Sequence, residues 1–469
     1  MSAPIFSSSS KASLGSLGIE SFIPLPPLPN IIAEWAAILP LVCHLATQRD
    51  DYITTGDIAL RSRLSVGLFP RLGTLSGLAR LLERKNKYLD QASTKSGSGR
   101  AVWDVSWGSV FPCANGAAFT AISKYLISQR DKRPTLRMPE KLPVPDRSPQ
   151  TSDSKLPKHL SQSSSITSSV SSQKPAKTSS RQDDRVRRYQ VLHVYKLDYC
   201  KPKLPSLRQR ANRFRLSVAG RLVWFATLLI LAIILGLLGS YGSSALVVIS
   251  SVSELVAQSV TVRKPYGYLK NNETHDACML VASHQNATEW HLYIGDRGIA
   301  DTLLNKPMFV LPEGRSASIT AKWFRLANLL QLAAMTFVAA QKGWDGVSMV
   351  VLLAAHWAFR WLPNGQSLAG DWVDSEGITA DVRSYEFGGR HPMIGAIQIF
   401  AGNMCTRWMD DILVPHPRRE AWLKRLRGEQ VTEQLSPHDI KWLKFASEAS
   451  LASANVLKDH FGARERCDS

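Results

Sequence analysis

Residues 222–241 read LVWFATLLILAIILGLLGSY, with no ionisable side chain from Leu222 through Ser240. At about 1.5 Å of rise per helical residue, roughly 20 such residues cross the ~30 Å hydrocarbon core of a bilayer. The stretch predicts a transmembrane helix, and the rest of the chain is read around it. Arg221 stands at its leading end and closes a dense basic run that begins at Arg181, opposed only by Asp183, Asp184 and Asp198. By the positive-inside rule this run places the N-terminal part in the cytosol. It would also hold anionic head groups at about 1 kcal/mol per basic side chain.

A net charge of +19 and a pI near 9.8 suit either nucleic acid or the anionic face of a membrane. Neither an aromatic-and-basic RNA-binding motif nor zinc-finger spacing is present, so lipid is the expected partner and nucleic acid is not. The six cysteines are far apart and form no CxxC pair, which predicts free thiols and no metal centre. The N-terminus lacks a basic segment followed by an apolar one. Insertion is therefore expected to be directed by an internal span.

Taken in order, residues 1–30 form a Ser/Pro-rich lead-in and residues 31–130 a small cytosolic, mostly helical region. Ile31 to Thr47 is apolar but interrupted by Glu34, Pro40 and His44, as in a buried or interfacial helix. A helix from Thr74 to Lys87 presents Leu75, Leu78, Leu81 and Leu82 on one stripe, with Arg80, Arg84, Lys85 and Lys87 opposite. Residues 131–184 have too little apolar surface to offset the entropy of ordering, so they predict a disordered linker. Within the basic juxtamembrane segment, 185–221, Arg185 to Lys196 alternates as a strand does.

Beyond the span at 222–241, residues 243–260 carry Glu254 and Gln258 and fit either a second span or an interfacial helix. That choice decides on which side the next unit lies. Residues 261–323 predict an α+β unit, with strands at Met279–Val281 and Glu289–Ile294 and a helical turn at Ile299–Leu304. Residues 324–341 and 346–362 predict a transmembrane hairpin with Trp323, Trp344, Trp357 and Trp361 near its ends. Residues 363–469 predict a helical tail, in which Ile394, Ile397, Ala401, Met404 and Trp408 share one face. The expected fold class is thus a mainly α membrane protein. It has three or four transmembrane helices, a small inserted α+β unit, a cytosolic N-terminal helical region and a disordered linker. The expected location is multi-pass, with a cytosolic N-terminus.

For chemistry, the chain has no P-loop, GxGxxG, HExxH, GxSxG or kinase motif. No catalytic or cofactor-binding residue is assigned. Asn272 and Asn286 head sequons that could accept glycan in a lumenal loop. Asn328, Gln331 and His356 form a candidate intramembrane polar cluster, with mutual hydrogen bonding as its plain role. Asp410-Asp411 lacks a second acidic cluster, and His275, His284 and His291 fit no zinc spacing.

Residues Glu289 to Gly298 (EWHLYIGDRG) and Leu303 to Met308 (LLNKPM) resemble an uncharacterised family of multi-pass membrane proteins of filamentous fungi. The likeness covers roughly Tyr189 to Leu426. It brings no activity or catalytic residue, and it implies a conceivable link to secondary-metabolite pathways. The first functional expectation is a non-catalytic accessory or anchoring protein that organises protein partners at a membrane. The alternatives are a transporter or channel component, with Asn328, Gln331 and His356 along its path, and a membrane-embedded enzyme using His356 or the middle-loop histidines.

Overall fold

The computed structural model describes residues 22–23, 25–46, 53–66, 74–95, 99–129, 134–139, 188–200, 218–341, 343–361, 365–402 and 404–462. The lead-in through residue 21, residues 140–184 of the linker, and residues 185–187 and 201–217 of the basic segment lie outside them. Seven strands are described: β1 (Ala101–Asp104), β2 (Val110–Pro112), β3 (Leu136–Arg137), β4 (Gln190–Tyr199), β5 (Ala277–Ala282), β6 (Glu289–Gly295) and β7 (Ile378–Phe387). They form one sheet in the order β2-β1-β5-β6-β4-β7-β3. The β4–β6 and β3–β7 pairs are parallel and the others antiparallel.

Fourteen α-helices accompany the sheet among the described residues. The first five are α1 (Asn30–Ala46), α2 (Ile53–Arg61), α3 (Thr74–Arg84), α4 (Asn86–Lys95) and α5 (Gly116–Gln129). Next come α6 (Val218–Leu237), α7 (Tyr241–Gln258), α8 (Arg297–Leu304), α9 (Arg315–Gln341) and α10 (Trp344–Trp361). The chain continues with α11 (Gly365–Ser375), α12 (Arg390–Ala401), α13 (Pro417–Leu426) and α14 (Pro437–Phe461).

Both faces of the sheet are covered, because side chains alternate across a strand. On β4, Leu192 and Val194 join Trp103, Leu280, Trp290 and Leu292 in a core closed by α12, α13 and α14. Tyr195 and Leu197, with Met279, Val281 and Tyr293, face the other way, toward Leu78, Phe119, Ile299 and Phe324. That second core is roofed by α2, α3, α5, α8 and the first half of α9.

A third apolar cluster joins α6, α7, α9 and α10 through Leu228, Ala232, Leu246, Val247, Met335, Val338 and Met349. Two hairpins, α6–α7 and α9–α10, leave the α/β part and return to it through short turns. One turn bends at Gly239, which adopts φ 79°, open to glycine at little cost. At the root end Glu254 of α7 accepts from the Val66 N–H at 2.7 Å, and Trp323 Nε1 of α9 donates to Ser253 Oγ at 3.1 Å. At the turn end Trp344 Nε1 donates to the Pro26 carbonyl at 2.7 Å, ahead of α1.

Helix α1 closes on α10 backbone to backbone. A Cβ added at Gly346 would stand 2.6 Å from the Ala37 nitrogen and 2.8 Å from the Ala36 oxygen. The Gly346→Leu variant is therefore expected to lose about 1–3 kcal/mol, the usual cost of overpacking. Limited proteolysis just after α1 should quicken as α1 is pushed away. An unchanged denaturation midpoint and cleavage rate would count against this close approach.

These observations correct the expected fold class. The chain is an α/β fold with a seven-stranded mixed sheet, not a mainly α membrane protein with three or four transmembrane helices. The strands of 31–130, 131–184, 185–221, 261–323 and 363–469, which the linear reading kept in separate pieces, pair in one sheet. The multi-pass location with a cytosolic N-terminus is corrected with it. Among the described residues one helix, Arg315–Gln341, is long and apolar enough to cross a membrane, at mean hydropathy 1.3, and a third of its apolar window is buried. A core helix meets the same criterion. The apolar stretches Asn30–Leu45, Leu222–Leu237 and Trp344–His356 are shorter.

Candidate functional site

Two features stand out as places where the chain meets something else. The first is the outer face of the helical layer. Helices α6 and α9 each pack on α7, leaving Leu222, Ile230, Ile233 and Ile234 of α6 and Leu326 and Leu329 of α9 exposed. Helix α1 adds Ile31, Trp35, Ile38 and Val42, which follow the same helical period. The apolar part of α9, from Leu326 to Gln341, is about 24 Å tall at about 1.5 Å per residue. At its root, α3 crosses α9, and Glu83 pairs with Arg325. Exposed Arg80, Arg84, Lys87 and Lys322 surround that crossing, beside a shallow hollow lined by Glu83, Arg84, Lys85, Asn86, Lys87 and Gln91.

The sequence-derived polar cluster falls within this layer. Gln331 is buried on the α9 stripe of Ala327, Ala334, Met335 and Val338, whereas Asn328 and His356 are half-buried. Counted from the turn joining α9 to α10, the three residues stand at similar depth. Helix α10 nevertheless packs chiefly on α1 rather than on α9. The structure therefore brings them to one level, Asn328 and Gln331 on α9 and His356 on α10. Asn272 and Asn286 are both exposed, at opposite ends of β5. Asn286 Oδ1 accepts from Arg390 Nη2 at 2.8 Å, and its carbonyl accepts from Arg188 Nη2 at 2.5 Å. Asp410 is tied to the buried Arg419 at 2.6 Å, which accounts for it as a structural ion pair.

The second feature is a polar ladder across the central strands. His193 of β4 stands in register with His291 of β6, their rings stacked with centroids 5.4 Å apart. His193 Nδ1 meets Ser384 Oγ at 2.6 Å, and His291 Nδ1 meets Tyr195 OH at 2.9 Å. Glu289 Oε1 lies 3.3 Å from His193 Nε2 and 3.9 Å from His291 Nε2. Below them Tyr195 stacks on Tyr293, whose hydroxyl meets Ser123 Oγ at 2.8 Å. Burial foremost, then the neighbouring His193 and Arg100, pushes His291 down to about 3, so its imidazole is neutral at ordinary pH.

Sequence reasoning singled out His291 but grouped it with His275 and His284, which lie in exposed loops, and it missed His193 and Ser384. A signal was available: His193-x-Tyr195 and Glu289-x-His291-x-Tyr293 both alternate at the period of a strand.

Comparison of the chain with protein-family models, with curated proteins and with solved structures returns no match.

Proposed function

We propose that the protein is a non-catalytic anchoring protein, an α/β domain whose helical layer rests its outer face on an anionic lipid surface. One observation carries this reading: the exposed apolar side chains of α1, α6 and α9 beside a basic root. Folded chains in water seldom leave apolar patches beyond a few hundred Å² uncovered, and larger ones mark partner or membrane contacts. The exposed cations at the root favour lipid over a neutral apolar partner, since each adds about 1 kcal/mol near an anionic leaflet. Contact of this face with hydrocarbon asks for no crossing, because both hairpins start from and return to the α/β part.

Flotation of the purified chain with vesicles tests the proposal. Wild type is expected to float with phosphatidylcholine vesicles containing phosphatidylserine, and more weakly without it. Ile230→Glu/Ile233→Glu/Leu329→Glu alters exposed side chains and should keep the fold while losing flotation on either vesicle. Arg84→Gln/Lys87→Gln/Lys322→Gln should lose the preference for phosphatidylserine. Wild-type protein that stays with the dense fraction in every mixture would remove the proposal.

A further inference from the structure

We infer that His193, His291 and Glu289 form a binding site for a divalent transition metal of the zinc class. Two features converge on it. The first is register: β4 and β6 place the two imidazoles side by side on one face of the sheet. The second is orientation. Each ring has its Nδ1 engaged by a hydroxyl, Ser384 Oγ at 2.6 Å for His193 and Tyr195 OH at 2.9 Å for His291. Both Nε2 atoms are thereby turned toward the same carboxylate oxygen, Glu289 Oε1. Ligating histidines characteristically have their second nitrogen hydrogen-bonded, which fixes the orientation of the ring.

Two imidazoles and one carboxylate make the donor set of open sites for Zn²⁺ and for ferrous or cobaltous ions. Metal–ligand bonds of about 2.0–2.2 Å set neighbouring donors roughly 3.0–3.6 Å apart. The 3.3 Å separation of Glu289 from His193 Nε2 already meets that spacing, and the 3.9 Å to His291 Nε2 lies slightly beyond it. Among the described residues no group of three His, Cys, Asp or Glu side chains is placed to hold a metal ion as it stands, so the site requires Glu289 to move. The Glu289 side chain is 59% exposed, so it can swing inward by the needed fraction of an ångström. Arg100 lies close enough for its charge to bear on His291, and it opposes a second cation there. The competing plain reading is a surface carboxylate that hydrogen-bonds to a pair of histidines.

The tag-free full chain, stripped with chelator, would be titrated with Zn²⁺ by calorimetry and with Co²⁺ by visible absorption. One equivalent is expected, with ligand-field bands for Co²⁺. Glu289→Gln changes an exposed side chain and should leave circular dichroism unchanged while weakening Zn²⁺ by about tenfold or more. Tyr195→Phe, which removes only the orienting hydroxyl, should weaken it by about tenfold, within the range seen for groups that orient ligands. Arg100→Gln should tighten it. No stoichiometric binding, or binding indifferent to Glu289→Gln in a folded protein, would refute the site and leave the plain reading.

Discussion

Asp345→Ala is expected to destabilise the helical layer by about 3–5 kcal/mol, the range seen when a buried charged acceptor is removed from its donors. The Asp345 side chain is buried at the start of α10 but serves the neighbouring hairpin. Its carboxylate accepts the Gly242 N–H at 2.7 Å, the Ser243 N–H at 2.8 Å and the Ser243 hydroxyl at 2.6 Å. Those amides open α7, whose own N-cap, Ser240, makes no side-chain capping bond. A helix N-terminus without a cap leaves orphan donors, and here the surroundings are apolar side chains rather than water. Gly242 permits the approach, because a Cβ there would stand 2.9 Å from the carboxylate. Asp345→Asn keeps the shape but turns an amide NH₂ toward one donor, so about half of the loss is expected to remain. Denaturant titration reads both variants, with an unchanged slope marking a shift in stability alone. A midpoint for Asp345→Ala equal to wild type would show that the two hairpins do not depend on this clasp.

Helices were legible in the sequence because their signal is local. The predicted stripe Leu75, Leu78, Leu81 and Leu82 is wholly buried on α3, and the stretch at 222–241 becomes most of α6. Strands at Met279–Val281 and Glu289–Ile294 fall within β5 and β6 for the same reason. The sheet was not legible, because its pairings are remote. β1 pairs with β5, and β4 with both β6 and β7, across long intervening segments that carry no mark of their partner. A run of apolar residues also looks alike whether its neighbour is lipid or protein. That ambiguity produced the multi-pass expectation. Glu254 held the correction: a carboxylate near the end of an apolar helix marks where α7 leaves the layer and enters the α/β part, there meeting the Val66 amide.

The candidate sites followed the same division. Asn328, Gln331 and His356 were recognisable as polar residues in apolar helices, but the sequence did not say that α1 would take α10 as its main neighbour. The His193–His291 pair was hidden because it depends on strand register. Once β4 and β6 align Tyr195 with Tyr293 and His193 with His291, the two alternating tripeptides become one ladder.

Arg297→Met is the substitution expected to be felt next most strongly, and its dependence on pH identifies the mechanism. Arg297 opens α8 and is 6% exposed; its Nη2 donates to Asp104 Oδ2 at 2.8 Å, while the side chain lies against Trp107 and near Asp301. Asp104 in turn receives the Ser106 and Trp107 N–H groups at 2.9 and 3.2 Å, so this one pair ties the β1–β2 turn to α8. A methionine fills similar volume but strands Asp104, and about 3–5 kcal/mol is the usual loss when half of a buried ion pair is removed. Burial already holds Asp301 above the ordinary carboxylate range, against the downward pull of Arg297 and Lys306. Without the guanidinium, the downward pull on Asp301 weakens, so its folded-state affinity for a proton rises further above the unfolded one. The sign follows: the variant's deficit is greatest near pH 7 and shrinks as pH falls toward 5, where Asp301 takes up a proton more readily than in the wild type. Unfolding midpoints of wild type and variant at pH 7.5 and pH 5.0 measure it. A deficit equal at the two values would mean that lost packing, and not an uncompensated carboxylate, is what the arginine prevents.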